Sequence, residues 1–266
     1  MRRFFISRHN VIGISQIILR TEGSGQKRMK KLFVLLRQGK ADELSRILTE
    51  RPELLNCVSG PLPKKDHGQS LLQVALKTGN LDIADMLIGM GIDVDFMEAE
   101  DDDPGLRAPV LFDAVTAVID PLCINSFASQ EEIRNRFGRS DRALVLLEKI
   151  LNGGADVNKR SSNGLSALNW SLRRAEQIMK NAGIYPFSQE KVREQLGRVL
   201  DLLIGHGADL DTWLKEGTYP EPYPGPCVQK LYFDKEDPDS GINYGAAQEM
   251  RAFLQDHFRK TGRTAT

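Results

Sequence analysis

A chain of 266 residues, 41% hydrophobic and 27% charged, carries enough apolar material for one large domain or two small ones, which excludes wholesale disorder. Its 36 basic and 36 acidic side chains cancel, which argues against a protein whose main partner is a nucleic-acid backbone. Cys57, Cys123 and Cys227 are odd in number and widely spaced, so they suit reduced thiols better than a disulfide framework, and no apolar run approaches the roughly 20 residues needed to span a bilayer.

Residues 1–28 stand apart: Arg2, Arg3, Arg8 and Arg20 precede the first acid, Glu22, and the apolar patches are broken. Two readings are open, a targeting segment or a misassigned start upstream of Met29. From Met29 to Leu55 the pattern predicts two helices. Leu32, Phe33, Leu35 and Leu36 mark the first, and Leu44, Ile47 and Leu48 the second, with Gly39 between them. RPELLN closes this unit and GPLPKKD reads as a loop.

The stretch from Asp66 to Asp95, DHGQSLLQVALKTGNLDIADMLIGMGIDVD, is the most regular in the chain. Ser70 and Gln73 form an SxxQ capping box, so a helix should begin at about Leu71 and bury Leu72, Ala75 and Leu76. After a turn at Gly79 and Asn80, a second helix follows with Leu81, Ile83, Ala84, Leu87 and Ile88 on its apolar side. Helices this short cannot bury such faces alone and need neighbours. Neighbours exist, because Gly39-Lys40-Ala41-Asp42 matches Gly79-Asn80-Leu81-Asp82 in register. Downstream, APVLFDAV (108–115) and SNGLSALNWSL (162–172) repeat the beginning of the unit, while LLEKILNGGADVN (146–158) and LDLLIGHGADLD (200–211) repeat its end.

With DxGxSxLxxA, GNxDIxxxLI and GxDVD in succession, the chain resembles the ankyrin repeat family over about residues 30–211. The resemblance implies an all-α, ankyrin-type solenoid of about four helix-turn-helix repeats (29–211), between an N-terminal extension (1–28) and a C-terminal capping segment (212–266). It implies a non-enzymatic scaffold that binds a protein partner through its fingers and concave helix face, with no cofactor; the cysteines, the cancelled charge and the short apolar runs add the expectation of a cytoplasmic monomer with no metal, nucleic acid or membrane. Gly91, Gly154 and Gly207 are expected in the left-handed conformation that closes a helix. Carried over position by position, the family's contact sites fall on His67, Gln69, Lys77, Thr78, Glu100, Asp102, Lys159, Arg160, Asn163, Arg173 and Trp213.

The family's Thr-Pro-Leu-His is nowhere intact. Its positions read Ser70-Leu71-Leu72-Gln73, Pro109-Val110-Leu111-Phe112 and Ser166-Ala167-Leu168-Asn169, so the third repeat should lack the capping network. The interval from Leu111 to Leu168 is much longer than that from Leu72 to Leu111, which places insertions at about 116–141 and 173–195. Ser129 should cap a helix from Gln130 to Phe137, and Ser188 one from Gln189 to Leu196. Both insertions belong to the end of the stack opposite the fingers, where they should meet, and two readings are open: they form an elaborated surface, or they only lengthen the helices and pack on each other. Beyond Asp211, Pro220, Pro222, Pro224 and Pro226 enforce an extended connection. VQKLYF reads as a short strand, and Tyr244 to Phe258 as a helix with Ala247, Met250, Phe253, Leu254 and Phe258 on one side. The last eight residues read as a frayed tail.

Signs of chemistry are sparse. His9, His67, His206 and His257 lie in four different segments without zinc-binding spacing, and neither GxxxxGK nor GxSxG occurs. The acidic run Glu98, Glu100, Asp101, Asp102, Asp103 lacks the alternating ligands of a calcium loop and reads as a solvated finger tip. Trp170 belongs to the core, while Trp213 either meets a partner or packs against the cap. Three alternatives stay open: an inhibitor or immunity-type protein for an enzyme or toxin, a structural module, and an enzyme with an unrecognised site. A buried cluster of ionisable groups in a cleft would favour the last.

Overall fold

The computed structural model describes residues 28–60, 66–99, 107–125, 127–180, 190–217, 227–233 and 244–263. The readings made for residues 1–27, Glu100 to Asp103, the cap at Ser188, the proline run from Pro220 to Pro226 and the side chain of Ala247 lie outside them. Among the described residues the chain is all-α, with no strand. Helix α1 covers 28–37, followed by α2 (Ala41–Glu50), α3 (Leu71–Thr78), α4 (Leu81–Gly89), α5 (Val110–Ile119) and α6 (Gln130–Asn152). Then come α7 (Ala167–Lys180), α8 (Glu190–Gly205), α9 (Leu210–Lys215), α10 (Val228–Tyr232) and α11 (Tyr244–Lys260). No helix of the described residues is long and apolar enough to cross a membrane.

Local chemistry sets the helix ends. The Ser70–Gln73 capping box is complete, and Gly79 closes α3 at φ +72°. As its sequence predicts, α5 begins at Pro109 without a side-chain cap. At α7, Ser166 Oγ accepts the Asn169 amide at 3.2 Å, but the shorter Asn169 side chain turns away to Glu216.

The pairs α3–α4, α5–α6 and α7–α8 pack in rows. First helices lie on first helices (α3, α5, α7) and second on second (α4, α6, α8), around one continuous core. Before α3 and α5 the chain makes equivalent single antiparallel bridges, Val58 to Ser70 and Met97 to Pro109. The loops after the second helices are laced together as well. The amides of Asp93, Asp156 and Asp209 donate to Asn56, Asp95 and Asn158 of the preceding loop, each at 2.9 Å. Gly91, Gly154 and Gly207 hold these loops at positive φ, as expected. The GxDVD-type ending is thus a ladder between units, in which each aspartate or asparagine satisfies a backbone donor of its neighbour.

Three readings need correction. The first insertion does not form a separate short helix: α6 runs unbroken from its Ser129 cap for 23 residues, since nothing between Phe137 and Leu144 stops a helix. VQKLYF is helical, not a strand. Val228, Leu231 and Tyr232 are buried at i, i+3 and i+4, and Cys227 Sγ accepts the Lys230 amide at 3.4 Å. The C-terminal tail is also ordered further than its composition suggests. Gly262 turns the chain at φ +68° and the Arg263 amide closes onto the Phe258 carbonyl at 2.9 Å.

The two insertions meet. Gln195 Nε2 donates to Ser140 Oγ at 3.1 Å and to Asp141 Oδ1 at 3.0 Å, and the Lys191 ammonium sits 4.5 Å over the Phe137 ring. At the C-terminal end a further single bridge, Gly217 to Cys227, precedes α10, and α11 packs against α10 and α7. His257 Nε2 lies 3.2 Å from Asp201 on α8. Trp213, Phe233 and Phe258 form an aromatic cluster there.

Candidate functional site

The first helices and the loops before them carry a continuous polar row. Asp66 is fully buried, and Arg37 grips its two oxygens, with Nε at 2.7 Å from Oδ2. Lys77 Nζ lies 3.6 Å from Asp66 Oδ1 and donates to Gln69 Oε1 at 2.8 Å. Gln69 in turn donates to Glu98, whose other oxygen accepts the Ala108 amide at 2.9 Å. Gln73 Nε2 spans the Ala108 carbonyl at 3.1 Å and Asp113 Oδ2 at 3.2 Å. The row therefore crosses three units, from α1 to α5, and each member is held by side chains or backbone of its neighbours.

Asp113 is the electrostatic outlier. Burial pushes its carboxyl up to about 7, the nearby Glu98 charge adds to that, and Lys77 and the Gln73 hydrogen bond only partly oppose it. The residue keeps some accessible surface, because it borders a cleft of 340 Å³ between the end of α3, the outer half of α5 and the start of α6. Lys77, Thr78, Thr116, Asp120, Arg136 and Arg139 also line this cleft. Arg136 is engaged with Glu132 at 3.0 Å and with the Cys123 carbonyl at 3.0 Å, and Asp120 is held by Arg174. The Arg139 guanidinium rests against Gly79, where a Cβ would collide with it.

The structure joins some of the expected contact residues and retires others. Gln69 and Lys77 form one hydrogen-bonded group, and Lys77 and Thr78 both border the cleft. Thr78 Oγ1 bonds back to the Val74 carbonyl at 2.7 Å, so its hydroxyl already serves its own helix. His67 is half-buried in the turn before α3, Asn163 accepts from Ser161 Oγ at 2.6 Å, and Arg173 is half-buried on α7. Lys159 is clamped to Asp95 at 2.7 Å, and Arg160 pairs with Glu216. Glu100 and Asp102 lie outside the described residues. Two readings fail as partner contacts. Gln69 is 7% exposed with both amide atoms engaged. Trp213 is 1% exposed because it stacks on Phe258 at 6.2 Å, so it serves the C-terminal packing. Trp170 stacks on Phe112 at 5.3 Å and donates to Thr116 Oγ1 at 2.9 Å, in keeping with a core role.

Asp113 and Arg139 were not anticipated. An acid inside the apolar run VLFDAV is itself a signal, whereas Arg139 sits in an insertion with no repeat register to place it. Burial raises the Cys57 thiol to about 11 and also raises Cys123, so neither is a ready thiolate nucleophile. Among the described residues no three histidine, cysteine or acidic side chains converge as metal ligands. No protein-family model matches the chain, and no curated protein matches it.

Proposed function

We propose that the chain is an ankyrin-type repeat protein whose function is to bind another protein through the face formed by the first helices and their preceding loops, without turnover or cofactor. The observation that carries this reading is the preorganised polar row beneath that face: buried Asp66 and Gln69 hold the partly exposed Arg37 and Lys77 in place, so these two lose little entropy on binding. The row stacking of helix pairs, the recurring bridges and the loop ladder support the repeat assignment. In the same reading, the C-terminal pair α10–α11 is a degenerate further unit, since a bridge precedes it as it does α3 and α5. The test is stoichiometric co-purification from the native cell with wild-type chain, with a His67→Glu/Arg173→Glu variant, and with Glu148→Lys on the exposed side of α6. Retention by wild type and Glu148→Lys, with loss in the double variant, is expected. Equal retention by all three, or no stoichiometric partner, overturns the reading.

A second reading has one observation behind it: an acid poised near neutrality beside a cleft suits general acid-base catalysis. It requires a substrate-dependent activity that Asp113→Asn abolishes while the fold is retained.

A further inference from the structure

The cleft between the α3–α4 turn and α6 contains one charged group that no described residue pairs with. The charges facing it are Lys77 on α3, Asp113 on α5, Asp120 in the turn just past the end of α5, and Arg136 and Arg139 on α6. Lys77 is shared between Asp66 and Gln69, Asp113 receives Gln73, Asp120 is held by Arg174, and Arg136 is spent on Glu132 and the Cys123 carbonyl. Arg139 makes neither an ion pair nor a hydrogen bond with any described residue. Its guanidinium nevertheless lies against the Gly79 backbone, on the rim of a concavity whose remaining wall includes Leu76, Ala117 and Pro121. A planar fork of donors over a partly apolar hollow matches a carboxylate carried next to an apolar group.

We infer that this cleft is a subsite for an acidic side chain of the protein partner, flanked by an apolar residue, and that Arg139 recognises the carboxylate. The inference rests on the protein-binding reading and adds to it the chemistry of the partner. The site lies away from the loops before the first helices, on a surface that the first insertion builds. It also carries a pH signature. An ionised Asp113 opposes an incoming carboxylate, and a protonated one does not, so the subsite should tighten as pH falls from 8 to 6, with Glu98 and Lys77 modulating that response.

The experiment titrates the isotopically labelled full chain with N-acetyl-Leu-Glu-amide and, in parallel, with the uncharged N-acetyl-Leu-Gln-amide, following the Gly79 amide and the Arg139 Nε–H by NMR. Saturable shifts at these two groups with the Glu peptide, a response at least about tenfold weaker with the Gln peptide, and a similar loss in Arg139→Gln are expected. Arg134→Gln, on the same helix but off the cleft, should bind like wild type. Equal responses to the two peptides, or unchanged binding by Arg139→Gln, overturn the subsite. That failure is separable from failure of the protein-binding reading, because the co-purification test uses His67 and Arg173 and does not involve Arg139.

Discussion

Asp113 makes the protein's stability depend on pH in the opposite sense from an ordinary paired carboxylate. Its folded-state value is raised from 3.8 to about 7, so between these limits the native state holds a proton that the unfolded state has released. Stability from this residue is complete below the unfolded value and is lost as pH rises through the folded one. At about 1.4 kcal/mol per unit, the full window is worth about 4 kcal/mol as a ceiling, and water at the cleft mouth lowers this to about 2 kcal/mol. Asp113→Asn removes the ionisation while leaving an oxygen for the Gln73 donor. Urea unfolding of both proteins at half-unit steps from pH 4 to 8.5, at constant ionic strength, measures the difference. The variant should match wild type near pH 4, pull ahead progressively up to pH 7, and hold a constant advantage above it. A gap that does not change with pH would show that Asp113 titrates as a solvated carboxylate, and the account of the polar row around it would fall.

Two further outcomes test the packing. Asp95→Ala removes the acceptor for the Asp156 amide and the partner of Lys159, both at the solvent-exposed edge, and should lower the unfolding free energy by about 0.5–1.5 kcal/mol, measured by urea denaturation. Gly197→Val drives a side chain into the His257 ring, which already lies 2.9 Å from where a Cβ would sit, so α11 should lift from α8 at a cost of about 1–3 kcal/mol. Limited proteolysis should then release the C-terminal helix well before the rest of the chain is cut, and the same cleavage rate as wild type would contradict that packing.

What the sequence made legible was local. Ser70 and Gln73 specify a helix start within four residues, and Gly79, Gly91, Gly154 and Gly207 mark turns whose backbone conformation few other residues adopt. The loop ladder was visible only as a recurring Asp-x-Asp or Asp-x-Asn, because its meaning depends on a donor in the next unit. Trp213 was ambiguous for the same reason: nothing near it in sequence announces Phe258. The helix at Val228–Tyr232 was misread because aromatic and β-branched residues after a proline zigzag look extended, although the buried positions already had helical spacing. Asp113 was passed over because its shift comes first from burial, which only the packed units create, and then from Glu98, which reaches it from the preceding loop.

The cleft itself follows from a mismatch in length. Helix α6 has 23 residues and α4 beside it only 9, so at 1.5 Å per residue α6 overhangs by roughly 20 Å. On the α8 side the overhang is covered, since the second insertion lengthens that unit too and supplies Lys191 and Gln195 to Phe137 and Ser140. On the α3–α4 side the pair ends at the tight turn of Gly79 and Asn80, and the helix faces a hollow with Arg139 at its edge. Matching insertions in two neighbouring units thus bury one flank of the overhang, while no described residue covers the other. An insertion serving only to extend the core would gain most from covering both flanks. The asymmetry, together with an arginine that pairs with no described residue, is the physical reason for testing the proposed carboxylate subsite there.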